Sequence, residues 1–523
     1  MKTSSSNLTL EQKVGQLFMV GFSGTRVTPE VRHLFRDLCF GGVILFKRNM
    51  RDIKQTRALI RELQDISLET TGLPLFVAID EEGGPIVRLP KGSPIFPGPM
   101  ALAATRSIAN VRAIAKATAL ELRGLGFNLN FAPVVDVATE PTNPVIGVRA
   151  FSSDPRRVGE LGAAYIQALQ AEGVLATAKH FPGLGSATRD PHATLPALYR
   201  TREELEETEF PPFRVAVRAG VSGVMVSNAW YPRLVREPGI PACFSPRIVS
   251  GLLRKELGFP GLIVTDDLAM GAVAGSFTGS QSALSSLHAG CDLLLIGHDP
   301  HLQALAHKSL LWALSNGQFS ERRMEESLGR IREAKSRLAS RKAKNSLSDP
   351  RLAQQVTEQS LTLLRADSSL LPLPRKLPGP LGLIFPEVSR AVPMDEDEEP
   401  SRILEALLSP HYPVKCSTFG FHPSREEVER AKALAASCAL VILGTYNGPL
   451  SRRQIRLIRL ILIQNPKVIQ VSLRNPYDLV LFPQIPCALA SYSFRPPAME
   501  ALAKVLLGKL PPKGTLPVSI PGI

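Results

Sequence analysis

The sequence predicts an α/β protein in two parts, a (β/α)8 TIM-type barrel followed by a smaller α/β layered domain. Eight short apolar, β-rich runs alternate with helical patterns through the first 340 residues, the order expected of a parallel sheet wrapped by helices. Charged and amide residues gather at the C-terminal ends of those runs, the face on which such barrels carry their sites. After residue 340 the texture changes to a basic stretch, a helical pattern and a proline-rich segment before further strand-like runs. The expected divisions are therefore 1–340 for the barrel, 341–380 for a helical and proline-rich linker, and 381–523 for the second domain.

Taken in order, the runs are LFMVGF (17–22), GGVILF (41–46), LFVAID (75–80), NLNFAPVVDV (128–137), LATAKHF (175–181), GVMVSNA (223–229), LIVTDD (262–267) and DLLLIG (292–297). Between them lie IKQTRALIRELQDI, SIANVRAIAKATALELRGLG and RRVGELGAAYIQALQAEG. All three place apolar residues at helical spacing, and glycine closes the last two. LAQQVTEQSLTLLR reads as helical, and SSLLPLPRKLPGPLG (368–382) as an interdomain linker. The acidic run DEDEE (395–399) reads as a solvated loop. LGLIFP, LVILGTY (440–446) and KVIQVSL (467–473), with SREEVERAKALAAS between them, make the second domain a smaller α/β layer structure.

At 523 residues the chain exceeds what one compact core organises. Its net charge of +14 raises the question of nucleic acid, since phosphate neutralisation needs Lys and Arg. The basic residues are dispersed, with RKAKNSLSDPR (341–351) and SRRQIRLIR (451–459) the densest runs and no aromatic-interleaved basic module. The expectation is a soluble protein with no nucleic-acid partner. No run approaches the roughly 18 apolar residues of a membrane span, and MKTSSSNLTL lacks an apolar leader core, so a cytoplasmic location is expected. Six scattered cysteines form no C-x-x-C pair, which argues against a zinc site or a disulfide framework and fits a reducing compartment.

Four stretches concentrate reactive groups. IDEEGGPIVRLP (79–90) ends a strand in acids followed by two glycines. NPVIGVRAFSSDP (143–155) places Arg149 in a loop. KHFPGLGSATRDPHATLP (179–196) joins a Lys-His pair to an Asp-x-His through glycines and prolines, and LIVTDDLAMGA (262–272) ends a strand in two adjacent carboxylates. Side chains alternate along a strand, so Asp266 and Asp267 cannot both face one mouth. One is catalytic and the other structural. Asp136 reads as a barrel-stabilising acid, and Glu81 and Glu82 as loop supports. Asp190 and His192 stand two apart, so in an extended loop they face the same side, where a carboxylate fixes the imidazole tautomer. Carboxylates with Arg, Lys and His around a barrel mouth suit a polyhydroxylated ligand. Glycoside cleavage needs one carboxylate at the oxocarbenium-like centre and one group to protonate the leaving oxygen. Of the two tryptophans, Trp230 is the better placed for stacking on a sugar.

AIDEEGG with Arg88, NFAPVVDV, NPVIGVRAFSSDP, KHFPG with DPHATLP, and VTDDLAM, in this order, resemble glycoside hydrolase family 3, specifically its β-N-acetylglucosaminidase branch. The resemblance covers essentially the whole barrel. It implies Asp266 as nucleophile, His192 as acid/base with Asp190 as its partner, and Asp80, Arg88, Arg149, Lys179 and His180 as the grip on sugar hydroxyls. It implies no metal and no organic cofactor. It further implies a retaining β-N-acetylglucosaminidase acting on peptidoglycan fragments in cell-wall recycling, with N-acetylglucosamine-containing muropeptides as substrate. Leu184 stands where the family commonly has a second His, Pro85 where an Arg is usual, Val148 at a usually acidic position, and Asn228 where a His is frequent. Two alternatives stay open: a phosphorylase on the same fold, whose His donor repels an anionic acceptor less than a carboxylate does, and a decayed muropeptide-binding protein.

Overall fold

The computed structural model describes residues 8–190, 194–339, 348–388 and 399–520. All eight expected runs form strands of one parallel sheet: β1 (Phe18–Val20), β2 (Gly42–Ile44), β3 (Phe76–Ile79), β4 (Leu129–Asn130), β5 (Leu175–Phe181), β6 (Gly223–Val226), β7 (Leu262–Thr265) and β8 (Leu294–Ile296). Neighbours follow chain order from β7 down to β1 and then to β8, and a bridge between Val264 and Leu293 closes the ring. The Thr265 hydroxyl reinforces that closure by accepting the Leu295 N–H at 3.0 Å. β4 is much shorter than the run 128–137. Pro133 has no N–H to give to a ladder, and beyond Asn130 the extended chain accepts from β5 instead, through the carbonyls of Ala132 and Pro133.

The helices follow from spacing and caps. Ile53–Thr71 begins under Asp52, whose carboxylate accepts the Gln55 N–H, and stops at left-handed Gly72. Ile108–Leu125 begins under Ser107 and stops at left-handed Gly126. An oxygen at the first cap satisfies an orphan N–H, and glycine takes the left-handed exit without a Cβ penalty. Both helices bury one apolar stripe, and the all-parallel order of the ring brings every strand's C-terminal end to the same mouth.

The second sheet has the order β11-β10-β12-β13-β14-β9, with β9 (Thr362–Arg365), β10 (Leu381–Pro386), β11 (Val414–Phe419), β12 (Leu440–Thr445), β13 (Val468–Ser472) and β14 (Cys487–Ala490). Five strands are parallel and β9 is an antiparallel edge. The helical reading of 352–365 holds only as far as Ser360, where Pro350–Ser360 ends. Thr362–Arg365 then pairs with β14, so a segment inside the expected linker contributes to the sheet. One apolar cluster covers each face of this sheet. Tyr477, Ala490, Tyr492, Val518 and Ile520 join the barrel's own core cluster instead, and burial of such apolar surface is the main attraction between the two parts.

Candidate active site

The loop after β3 makes its turn at Gly83, whose φ is 79°. A Cβ there would lie 2.6 Å from the Pro97 carbonyl oxygen, so only glycine lets this loop fold back toward the strand end. The turn leaves Asp80 and Glu82 facing inward. Lys179, near the end of β5, reaches Asp80 at 2.7 Å and Glu82 at 2.6 Å. Arg149, from the loop after β4, grips the Glu82 carboxylate through Nε and Nη2, both at 2.8 Å. Glu82, Arg149 and Lys179 are almost wholly buried, whereas Asp80 keeps 26% of its side chain exposed.

Burial opposes ionisation of Glu82, but the Arg149 and Lys179 charges outweigh it and hold the carboxyl well below its ordinary range. Burial likewise opposes the Lys179 ammonium, and Asp80 and Glu82 reverse the effect and raise its pKa. Opposite charges a few ångströms apart in a desolvated site favour the charged forms of both. Two fixed cations and two fixed anions thus stand at the cavity wall with no net charge.

The Asp136 carboxylate accepts at Oδ2 from His180 Nδ1, 2.7 Å away. Asp136, fully buried, also accepts the backbone N–H groups of His180 and Leu184. It fixes the imidazole and the start of the following loop and does not line the cavity, in keeping with its reading as a structural acid. Asp266, at the end of β7, is half-buried and accepts the Asp267 N–H through Oδ1 at 2.9 Å. Asp267 accepts the backbone N–H groups of Ala269 and Gly297 yet lines the same cavity as Asp266; β7 ends at Thr265, so both acids lie beyond the strand and alternation does not separate them as expected. Asn228 donates to the Asp267 carbonyl at 2.8 Å and so steadies the residue next to Asp266.

Asp80, Arg88, Arg149, Lys179, His180 and Asp266 all line one cavity of about 410 Å³ at the C-terminal mouth of the barrel. Leu184 lines it too, while Asp190 is half-buried and not part of the described wall. His192 lies outside the described residues. Trp230 is half-buried, with backbone bridges to Ala197 and Pro241, and is not part of the wall. The aromatic surface in the cavity is Phe46, with the His298 ring stacked on it at 4.7 Å between centroids. Glu82 is the residue that reading the sequence understated, since it is the hub of the charge network rather than a loop support. The alternation that pairs Asp190 with His192 also pairs Asp80 with Glu82, and that was the available signal. Among the described residues no group of His, Cys, Asp and Glu could hold a metal ion.

Residues 9–334 match the family model described as the glycosyl hydrolase family 3 N terminal domain. The chain is 29% identical to a beta-hexosaminidase A of Pseudoalteromonas piscicida, covering 98% of this chain and 97% of the relative. It is 36% identical to a beta-hexosaminidase of Xanthomonas oryzae pv. oryzae over 55% of this chain and 85% of the relative. Its fold superposes on a family 3 beta-N-acetylglucosaminidase of Paenibacillus sp. with a TM-score of 0.92 and 37% identity, covering 98% and 99% of the two chains. With eight strands closed into a barrel, the acids and cations at its mouth and these matches together, the chain belongs to glycosyl hydrolase family 3 and is a glycoside hydrolase of the β-N-acetylhexosaminidase type.

Proposed function

We propose that this protein removes terminal non-reducing N-acetylglucosamine with retention of configuration, using Asp266 as nucleophile and His192, oriented by Asp190, as acid/base. The observation that carries this reading is the convergence of Asp266 with Asp80, Arg88, Arg149, Lys179 and His180 on a single cavity. In the first half-reaction the Asp266 carboxylate bonds to the anomeric carbon as the bond to the aglycone breaks, and His192 gives its proton to the departing oxygen. In the second, water attacks the same carbon, His192 takes the water's proton, and Asp266 departs as carboxylate. Two inversions give net retention. The neutral set of two cations and two carboxylates supplies both donors and acceptors to sugar hydroxyls without reorganising when substrate arrives.

The natural substrates in this reading are peptidoglycan fragments bearing N-acetylglucosamine on an anhydro-muramic unit, met in the cytoplasm during cell-wall recycling. A net charge of +14 favours encounter with acidic muropeptides, and six free thiols suit a reducing compartment. No helix among the described residues is long and apolar enough to cross a membrane. The test is release of nitrophenol from its β-N-acetylglucosaminide, with and without inorganic phosphate, by the wild type, Asp266→Asn and His192→Ala. The expected result is phosphate-independent turnover that the first change abolishes and the second strongly reduces. Phosphate-dependent release of a sugar 1-phosphate would overturn hydrolysis, and full activity of Asp266→Asn would overturn the assignment of the nucleophile.

A further inference from the structure

The second domain has no part in the chemistry described above, yet its strand ends reach the loops that do. Asn475, in the turn after β13, is 2% exposed and its Oδ1 accepts the Val148 N–H at 2.9 Å. Its own carbonyl is fixed by the Ser472 hydroxyl at 2.6 Å. The neighbouring Gly147 has φ 47°, and a Cβ there would lie 2.0 Å from Asn475 Oδ1. The asparagine therefore packs flat on a backbone site that only glycine leaves open. Val148, which it also holds, is followed directly by Arg149.

From the same loop Asn143 carries the connection further. Its Oδ1 accepts the Val145 and Ile146 N–H groups, and its Nδ2 donates to the carbonyls of Leu184 at 2.8 Å and Gly185 at 2.9 Å. One continuous set of buried hydrogen bonds thus runs from the second domain, through the Gly147–Arg149 turn, to the base of the loop that leads to Asp190. Close fit at both ends makes this a rigid connection rather than a sliding contact.

We propose that Asn475 is a positioning residue for sugar binding: it holds the Gly147–Arg149 turn so that Arg149 stays locked on Glu82 at the cavity wall. The second domain is then part of the working site although none of its described residues lines the cavity. This rests on the reading of Arg149 as part of the sugar grip. Loss of the Asn475 amide leaves the buried Val148 N–H without its acceptor and frees the turn, which raises KM for the aryl N-acetylglucosaminide about tenfold while kcat changes less.

The experiment is a double-mutant cycle in the full-length protein: wild type, Asn475→Ala, Arg149→Met and the double variant, with KM, kcat and melting temperature measured for each. If Asn475 acts through Arg149, Asn475→Ala raises KM in the wild-type background and adds little in the Arg149→Met background. Multiplicative effects on KM would overturn the inference. An Arg149→Met variant with unchanged KM would instead overturn the reading of Arg149, so the two failures are distinguishable. Tyr492→Phe, which removes the bond to the Thr362 hydroxyl at 2.8 Å, perturbs the same domain without touching the turn. It is expected to leave KM unchanged, and a rise matching that of Asn475→Ala would reduce the effect to general destabilisation and overturn the proposal.

Discussion

Replacing Glu82 by glutamine keeps the shape of the site and removes the carboxylate on which two buried cations converge. Asp80 and Glu82 now balance Arg149 and Lys179, two charges against two. After the change a net positive charge remains in this set, with the partly exposed Asp80 and the more remote Asp136 to offset it. Arg149 donates twice and Lys179 once to Glu82, all within 2.8 Å. Removing one partner of a buried pair costs about 3–5 kcal/mol, a large part of the roughly 5–15 kcal/mol that keeps a domain folded. The sign of the pH dependence follows from the depressed pKa of Glu82, which Arg149 and Lys179 impose against the opposing effect of burial. Its stabilisation is complete above the ordinary glutamate pKa of 4.5 and is lost as pH falls toward the folded value. The gap between wild type and variant is therefore full near neutrality and narrower at about pH 3.5. Urea unfolding followed by near-ultraviolet circular dichroism at both pH values reads it directly. A loss below about 1 kcal/mol at neutral pH, the size of an ordinary neutral hydrogen bond, would refute the view that this network is a fixed charged frame.

Other outcomes follow from single buried groups. Asp136→Asn weakens the hold on His180 Nδ1 and on two backbone N–H groups; activity on the aryl substrate falls about tenfold or more, and wild-type kinetics would contradict that role. Glu209 lies beneath the Gly183–Gly185 segment, where burial first and the Asp136 charge second push its pKa up to about 8. Between the ordinary 4.5 and about 8 the unfolded chain has given up this proton and the folded one has not, so wild-type stability falls as pH rises through that window. Glu209→Gln lacks this loss, and its advantage over wild type in thermal unfolding grows from acid to mildly alkaline pH. Lys335, held by Gln16 Oε1 at 2.7 Å, has its pKa lowered by burial to about 7. Its cost to folding is full below that value and disappears as pH rises toward 10.5. Lys335→Met is therefore most favourable relative to wild type near neutrality and loses that advantage in alkaline unfolding experiments.

Much of the barrel was legible because a buried parallel strand announces itself as a short apolar run, and each of the eight runs ends at the mouth. β4 departs from its run because Pro133 interrupts the ladder, a local cause visible only once the partner strand is known. Thr362–Arg365 escaped notice for a different reason: an edge strand of four residues needs one neighbour, and β14 lies far along the chain. Alternation predicts only one of Asp266 and Asp267 at the mouth, whereas both line the cavity because β7 ends at Thr265, before either acid. Glu82 was understated because its value depends on Arg149, separated from it by 67 positions, and on a lysine from yet another strand. Trp230 was favoured for its ring and its place after β6, whereas Phe46, at the end of β2, supplies the aromatic wall. The Asn475 contact depends on a domain interface that no periodicity encodes.

The proposed mechanism passes through a covalent intermediate on Asp266. Brief reaction of His192→Ala with an activated aryl β-N-acetylglucosaminide, whose leaving group needs little protonation, followed by acid quench and peptide mass mapping, tests it most directly. The expected result is one N-acetylglucosaminyl residue on the peptide carrying Asp266, absent from the His192→Ala/Asp266→Asn double variant. Turnover without any such adduct, with a product of inverted configuration, or with the sugar attached to Asp267 would contradict it.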